Sequence, residues 1–142
     1  MVEISNTTKS KIDLKLISEV TEKFLAYYHK KNSEVSIAFV GDLVIRRLNK
    51  EYRGKDKVTD VLSFEEGGAC SGGEVSYLGE IIIDYQQIKR QAKKYSKNVE
   101  EELVFILVHG LLHLMGHDDK KEEERLEMIR LGQEFIDKKI KI

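Results

Sequence analysis

The stretch Phe105-Ile-Leu-Val-His109-Gly-Leu-Leu-His113-Leu-Met-Gly116-His117-Asp-Asp119 decides how this chain is read. Most of its residues are apolar, so it reads as a buried helix that carries imidazoles inward, and a core helix gains nothing from histidine unless something satisfies the ring nitrogens. His109 and His113 are four residues apart, on one helical face about one turn from each other. That spacing lets two imidazoles bind one metal ion. Gly116 tolerates the positive φ that ends a helix sharply and swings the chain back. The turn offers His117 and Asp119 as candidates for a third ligand. A set of satisfied core histidines is the competing reading, but three of the four histidines in the chain fall in this short window, the pattern of a metal site.

The arrangement His-x-x-x-His-x-x-Gly-x-x-Asp, from His109 to Asp119, resembles the long zinc motif of metzincin-type proteins, whose third ligand stands three residues after the glycine. That register selects Asp119, while the affinity of imidazole for such metals keeps His117 as a rival. A carboxylate is an acceptable zinc donor, although its charge leaves a bound water less acidic than a third imidazole would. Peptidases of this helical type place Glu directly after the first His, and here that position is Gly110. Three protein ligands and an open fourth position still describe a catalytic Zn2+, or another divalent metal, so hydrolysis of something other than a peptide is expected.

Composition bounds the rest. At 142 residues and 41% hydrophobic content the chain fits one domain, 1–142, with a single core. One cysteine excludes an internal disulfide framework. No apolar run is long enough to span a bilayer and no secretory signal is apparent, so a soluble, cytoplasmic protein with no membrane partner is expected. A net charge of −1 argues against a general polycation but leaves room for a local basic groove.

Outward from the histidines, apolar spacing predicts an amphipathic helix from Lys11 to about Lys31, with His29 on the surface, then a strand over Glu34–Val40. Asp42 is expected to cap a helix from Leu43 to about Tyr52. Beyond the Gly54 break, Val61-Leu-Ser-Phe64 reads as a short strand and Leu78–Ile83 as a buried one, the two forming a sheet floor under the site. Glu65 to Ser76, rich in glycine, is expected to be a mobile loop or flap, with Cys70 a bystander. A helix from Tyr85 to about Tyr95 carries Lys89, Arg90, Lys93 and Lys94, followed by Lys97. This is either a phosphate-attracting face or merely a solvated one. Ser96 or Asn98 is expected to cap the metal helix, and a charged helix from Lys120 to about Lys138 closes the domain. Together these predict an α+β fold: one domain with a small mixed β-sheet, several helices and a zincin-like metal helix.

The other informative stretch is Arg46-Arg-Leu-Asn49-Lys-Glu-Tyr52-Arg53-Gly-Lys55-Asp-Lys57-Val-Thr59-Asp60-Val-Leu-Ser63-Phe64. A loop running into a strand presents polar side chains with little freedom, so Arg53, Lys57, Thr59, Asp60 and Ser63 are the substrate-binding candidates. Arg53 is suited to bidentate contact with phosphate. A solvated basic helix end is the bland alternative. Asp60 is the one candidate for a general base.

This stretch, with Leu78-Gly-Glu-Ile-x-Ile and His109-Gly-x-Leu-His113-Leu-x-Gly116, resembles the YbeY family of ribosomal RNA maturation endoribonucleases, in order, from roughly Val35 to the last helix. The resemblance implies a single-strand-specific, metal-dependent endoribonuclease acting in maturation of 16S rRNA 3′ ends and in ribosome quality control. Precursor rRNA and the small ribosomal subunit would be its partners. It further implies that the final motif supplies the metal ligands (His109, His113, Asp119) and that Arg53 lies in the active site beside His113. The family usually reads Gly-Tyr-Asp-His where this chain has Gly116-His117-Asp118-Asp119, so its third histidine falls on Asp119. Pro commonly follows its Ser-Phe pair, where this chain has Glu65. A monomer is expected. The rival classes are a ribosome assembly or RNA-binding factor with a structural metal, which binding by both His117 and Asp119 would indicate, and a metallohydrolase of another substrate, which Gly110 disfavours if that substrate is a peptide.

Overall fold

The computed structural model describes residues 1–66 and 76–141. Its elements run β1 (Val2–Asn6), α1 (Leu14–Tyr27), β2 (Ser33–Val40), α2 (Asp42–Arg53), β3 (Val61–Glu65), β4 (Ser76–Asp84), α3 (Tyr85–Lys94), α4 (Val99–Leu114) and α5 (Glu122–Lys139). The fold is α+β, as expected. Cys70 and most of the glycine-rich loop lie outside the described residues.

The four strands form one mixed sheet in the order β1-β2-β4-β3. β1, β2 and β4 are parallel, and β3 runs antiparallel to β4 at the edge, Leu62 facing Ile82 and Ser63 facing Ile81. The run Ile81-Ile-Ile83 marks β4 as an inner strand because alternate side chains must be buried on both faces. Ile81 and Ile83 join the main core with Ile17 and Phe24 of α1, Leu107 and Leu111 of α4, and Phe135 of α5. Ile82 joins a smaller cluster with Val40, Leu62 and Ile45, under α2.

The buried positions of α1 (Ile17, Val20, Thr21, Phe24, Leu25) follow the 3.6-residue period. This helix is shorter than its apolar pattern suggests; it stops at Tyr27, and exposed His29 then takes a positive φ of 58°. The position of β1 carried no pattern strong enough to mark it; it is held by parallel pairing with β2. Asp42 does not cap α2. Gly41 holds the cap position without a side-chain bond, and the Asp42 carboxylate instead accepts two hydrogen bonds from Arg90, at 2.7 and 3.2 Å. A bidentate guanidinium contact outcompetes a cap.

Candidate active site

α4 is apolar almost all round, burying Leu103, Val104, Ile106, Leu107, Val108, Leu111, Leu112 and Leu114. Asn98 caps it, accepting from the amides of Glu100 (2.8 Å) and Glu101 (3.3 Å), and three glutamates follow in the first turn, where acidic groups favour the helix dipole. The helix lies tight against the sheet at Gly110. A Cβ there would come within 3.2 Å of Ile81 Cγ2 and 3.3 Å of Ser63 Oγ. Gly110 therefore has a packing role, and the position a peptidase would give to its base faces the sheet.

At the other end, the chain leaves α4 through a Schellman turn. Gly116 takes φ +95°, its amide donates to His113 O (3.0 Å), and the His117 amide donates to Leu112 O (3.1 Å). This turn folds Asp119 back onto the helix. Asp119 Oδ2 lies 3.2 Å from His109 Nε2 and 3.3 Å from His113 Nε2. Ligand atoms of His109, His113 and Asp119 all fall within 4.8 Å of one another, a group that could hold a metal ion. The His117 ring is not in that group. Its carbonyl is 3.1 Å from His113 Nδ1, a contact that orients the ring and turns Nε2 toward the cluster.

Burial pushes the His109 pKa below its ordinary value, with His113 adding to the effect and Asp119 and Asp60 opposing it. For Asp119, burial raises the pKa, but hydrogen bonds and charge from His109 and His113 outweigh it and hold the carboxyl below the usual range. A neutral imidazole beside an ionised carboxylate is the state in which such groups ligate a cation. Two nitrogens and a carboxylate oxygen are zinc's common donors, so the residues present fit that metal or a similar one.

β3 brings the second stretch to this helix. Ser63 Oγ reaches Gly110 O at 3.5 Å, next to His109, while Ser63 O accepts from Arg53 Nη2 at 2.7 Å. The Arg53 guanidinium also lies over the Phe64 ring, 4.9 Å from its centroid. Thr59 Oγ1 donates to Asp60 Oδ1 (3.4 Å), and Asp60 Oδ2 accepts from Gln91 Nε2 (3.3 Å). Ser63 thus touches α4 directly and Asp60 reaches it through Gln91 and Glu102, with Thr59 tied to Asp60, while Arg53 is held on the edge strand. Lys57 is exposed, and its backbone carbonyl accepts from Asn49 at 2.9 Å.

Sequence reasoning missed Gln91 and the burial of Glu102. The Gln91 amide donates both to Asp60 and to Glu102 Oε2 (3.0 Å), tying the loop before β3 to the metal helix, while Lys97 lies 3.6 Å from Glu102. Only the four-residue spacing of Gln87 and Gln91, which bond each other at 3.2 Å, hinted at an ordered polar row. On the basic face of α3, Arg90 is committed to Asp42, and Lys89 and Lys94 lie over Tyr85 and Tyr95.

An α+β fold whose apolar helix carries His-x-x-x-His and turns an Asp back onto it defines a zincin-like metalloprotein class. Comparison narrows the class to one family. The family model described as Endoribonuclease YbeY matches residues 3–139, and the chain belongs to that family. Relatives named Endoribonuclease YbeY include one from Pelotomaculum thermopropionicum, 44% identical over 75% of this chain and 72% of its own length. Others are from Sulfurihydrogenibium sp. (40%, covering 89% and 84%) and Bacillus cereus (39%, covering 87% and 85%). The solution structure of a Thermotoga maritima protein is similar in fold, with a TM-score of 0.64 at 28% identity over 96% of this chain and 89% of that one.

Proposed function

We propose that this protein is a single-strand-specific, metal-dependent endoribonuclease, a hydrolase of RNA phosphodiester bonds in one domain spanning 1–142. Family membership supports the endoribonuclease class. The observation that carries the metal dependence is the His109–His113–Asp119 group, with Arg53 held on the adjoining edge strand. Ribosomal RNA precursors, 16S 3′ ends among them, the small ribosomal subunit as partner, a cytoplasmic setting and a monomeric state belong to the same proposal. Among the described residues no helix is long and apolar enough to cross a membrane.

His109 and His113 would hold Zn2+ or a similar ion through Nε2, and Asp119 through a carboxylate oxygen. When bound, such an ion lowers the pKa of a water or polarises a phosphoryl oxygen. Arg53, anchored through Nη2 to Ser63 O and through Nη1 to Tyr52 O at 3.3 Å, would turn its other N–H groups to a phosphate and neutralise charge that builds there. Asp60, oriented by Thr59 and Gln91, would accept a proton in this reading. Lys57 adds positive charge on the approach of the strand.

The test compares one sequence as single strand and as duplex, incubated with metal-loaded protein and again after chelation, with product ends identified. The proposal expects cutting of the single strand alone and its loss on chelation. Cutting that survives chelation, or a metal-loaded protein that leaves RNA intact, would overturn it. The product ends distinguish attack by water from attack by the ribose 2′-hydroxyl.

A further inference from the structure

On the α2 side of the edge strand, opposite the metal helix, an aromatic ring stands open in basic surroundings. α2 ends at Arg53 because Gly54 takes φ +70° and its amide donates to Lys50 O, which leaves Tyr52 and Arg53 on the rim of the sheet. Tyr52 is 56% exposed. Its ring meets Phe64 edge-to-face, centroids 5.3 Å apart at 72°, and Phe64 is the ring over which the Arg53 guanidinium lies. Such a contact fixes the Tyr52 ring while leaving much of its π-surface to solvent.

The charge around it is complementary to a phosphate backbone. Over residues 47–57, Arg47, Lys50, Arg53, Lys55 and Lys57 are exposed against two exposed carboxylates, Glu51 and Asp56, a surplus of positive charge. Among the described residues the ion pair in this stretch is Arg46 with Asp56, at 2.8 Å, and the other cations have no carboxylate within ion-pair distance. The connection to the chemistry is short. Arg53 bonds the Ser63 carbonyl, and the Ser63 hydroxyl reaches Gly110, next to His109. Alternation along β3 sends Ser63 toward α4 and Phe64 toward α2, so a strand crossing this edge meets the metal group on one side and the ring on the other.

We propose that Tyr52, backed by Phe64 and flanked by Arg53, is a stacking platform for an unpaired base of the RNA strand, an inference that rests on the ribonuclease reading above. Only a single strand can splay a base onto a side chain, because in a duplex the faces are already stacked. The platform gives the single-strand preference a physical source and tolerates any base, since every base has a π-face.

The chain contains no tryptophan, so Tyr52→Trp creates a unique fluorescent reporter at the platform. The probes are a single-stranded oligoribonucleotide and a ribose-phosphate strand of equal length without bases, titrated in chelator so that neither is cut. The inference expects Tyr52→Trp to bind the RNA as tightly as wild type and to be quenched by it but not by the abasic strand. Tyr52→Ala, with an unchanged thermal melt, should bind the RNA about tenfold more weakly or worse, and the abasic strand as wild type does. Wild-type RNA affinity in Tyr52→Ala, or equal loss for both strands, would overturn it. Protein that binds and stacks RNA yet never cuts it with metal present would refute the ribonuclease reading and leave the platform standing. Protein that cuts RNA while Tyr52→Ala binds normally would refute the platform alone. Wild type that binds no RNA would refute both.

Discussion

Among the described residues, the group around Asp119 and the pair Asp84–Asp42 treat charge in opposite ways. At the end of α4, Asp119 meets two imidazoles in a partly open site, with side-chain exposures of 18% for His109, 26% for His113 and 39% for Asp119. Where β2 and β4 hand over to α2 and α3, Asp84 is fully buried beside Asp42, whose oxygens are held by Arg90. The second cluster brings its own cation; the first sets two imidazoles and one carboxylate where they could hold one. Acidity alone does not make a metal site. What separates the two is whether the chain already supplies the counter-charge.

The comparison breaks first if α4 can be lifted from the sheet. Gly110→Glu places a long charged side chain where even a Cβ would be tight against Ile81 and Ser63. The expected cost is about 3 kcal/mol or more in thermal or urea unfolding, with no gain of peptide hydrolysis. A stable variant that cleaves peptides would show that the missing glutamate, and not packing, defined the chemistry.

Next in size is loss of a donor. His113→Ala and Asp119→Ala should each weaken zinc binding by more than about 100-fold, beyond what outer contacts contribute, as read by calorimetry. Asp119→His, which restores the family's usual residue, should retain binding. Tight binding by Asp119→Ala would return His117 to the ligand set.

At the other cluster, burial first, then contact and repulsion from Asp42, push the Asp84 pKa up to about 7. Its Oδ1 accepts from the amides of Gln86 and Gln87, at 3.1 and 3.4 Å, while Oδ2 has no hydrogen-bond donor. Ionised, that oxygen would be buried unpaired; protonated, it can donate to Asp42. The contribution is fully present below the ordinary carboxyl pKa and is lost as pH rises toward 7, because the unfolded chain releases the proton first. Asp84→Asn removes this slope. Its stability advantage over wild type should widen by roughly 1–2 kcal/mol between pH 5 and pH 8, less than full linkage because the Asp42 side is open to water. Urea unfolding at the two pH values measures it, and a gap that stays constant would place the Asp84 pKa near its ordinary value. The smallest effect expected is at His117→Ala, which keeps the carbonyl that orients His113 and should bind metal within about twofold of wild type.

The metal helix was legible because an apolar run with imidazoles four apart has few other physical explanations, and Gly116 announced the turn. Of the outer strands, β3 was legible from Val61-Leu-Ser-Phe64 and β1 was not. β1 is held by its partner strand and not by its own pattern. The Asp42 misreading has the same origin: a local rule assigned a cap, and Arg90, 48 residues away, took the carboxylate. Gln91 and Asp84 were silent for that reason too, since their roles arise from neighbours distant in sequence. Arg53 and Ser63 could be chosen as candidates, but the bond between them required the fold.

The most direct test is cleavage of a fluorescent single-stranded RNA by metal-loaded protein beside Arg53→Ala and His113→Ala, at equal folded concentration and with bound metal measured. Cutting by wild type, its loss in both variants, and metal lost only from His113→Ala is the predicted result. Equal faint activity in all three, or full metal content in His113→Ala, would contradict the account.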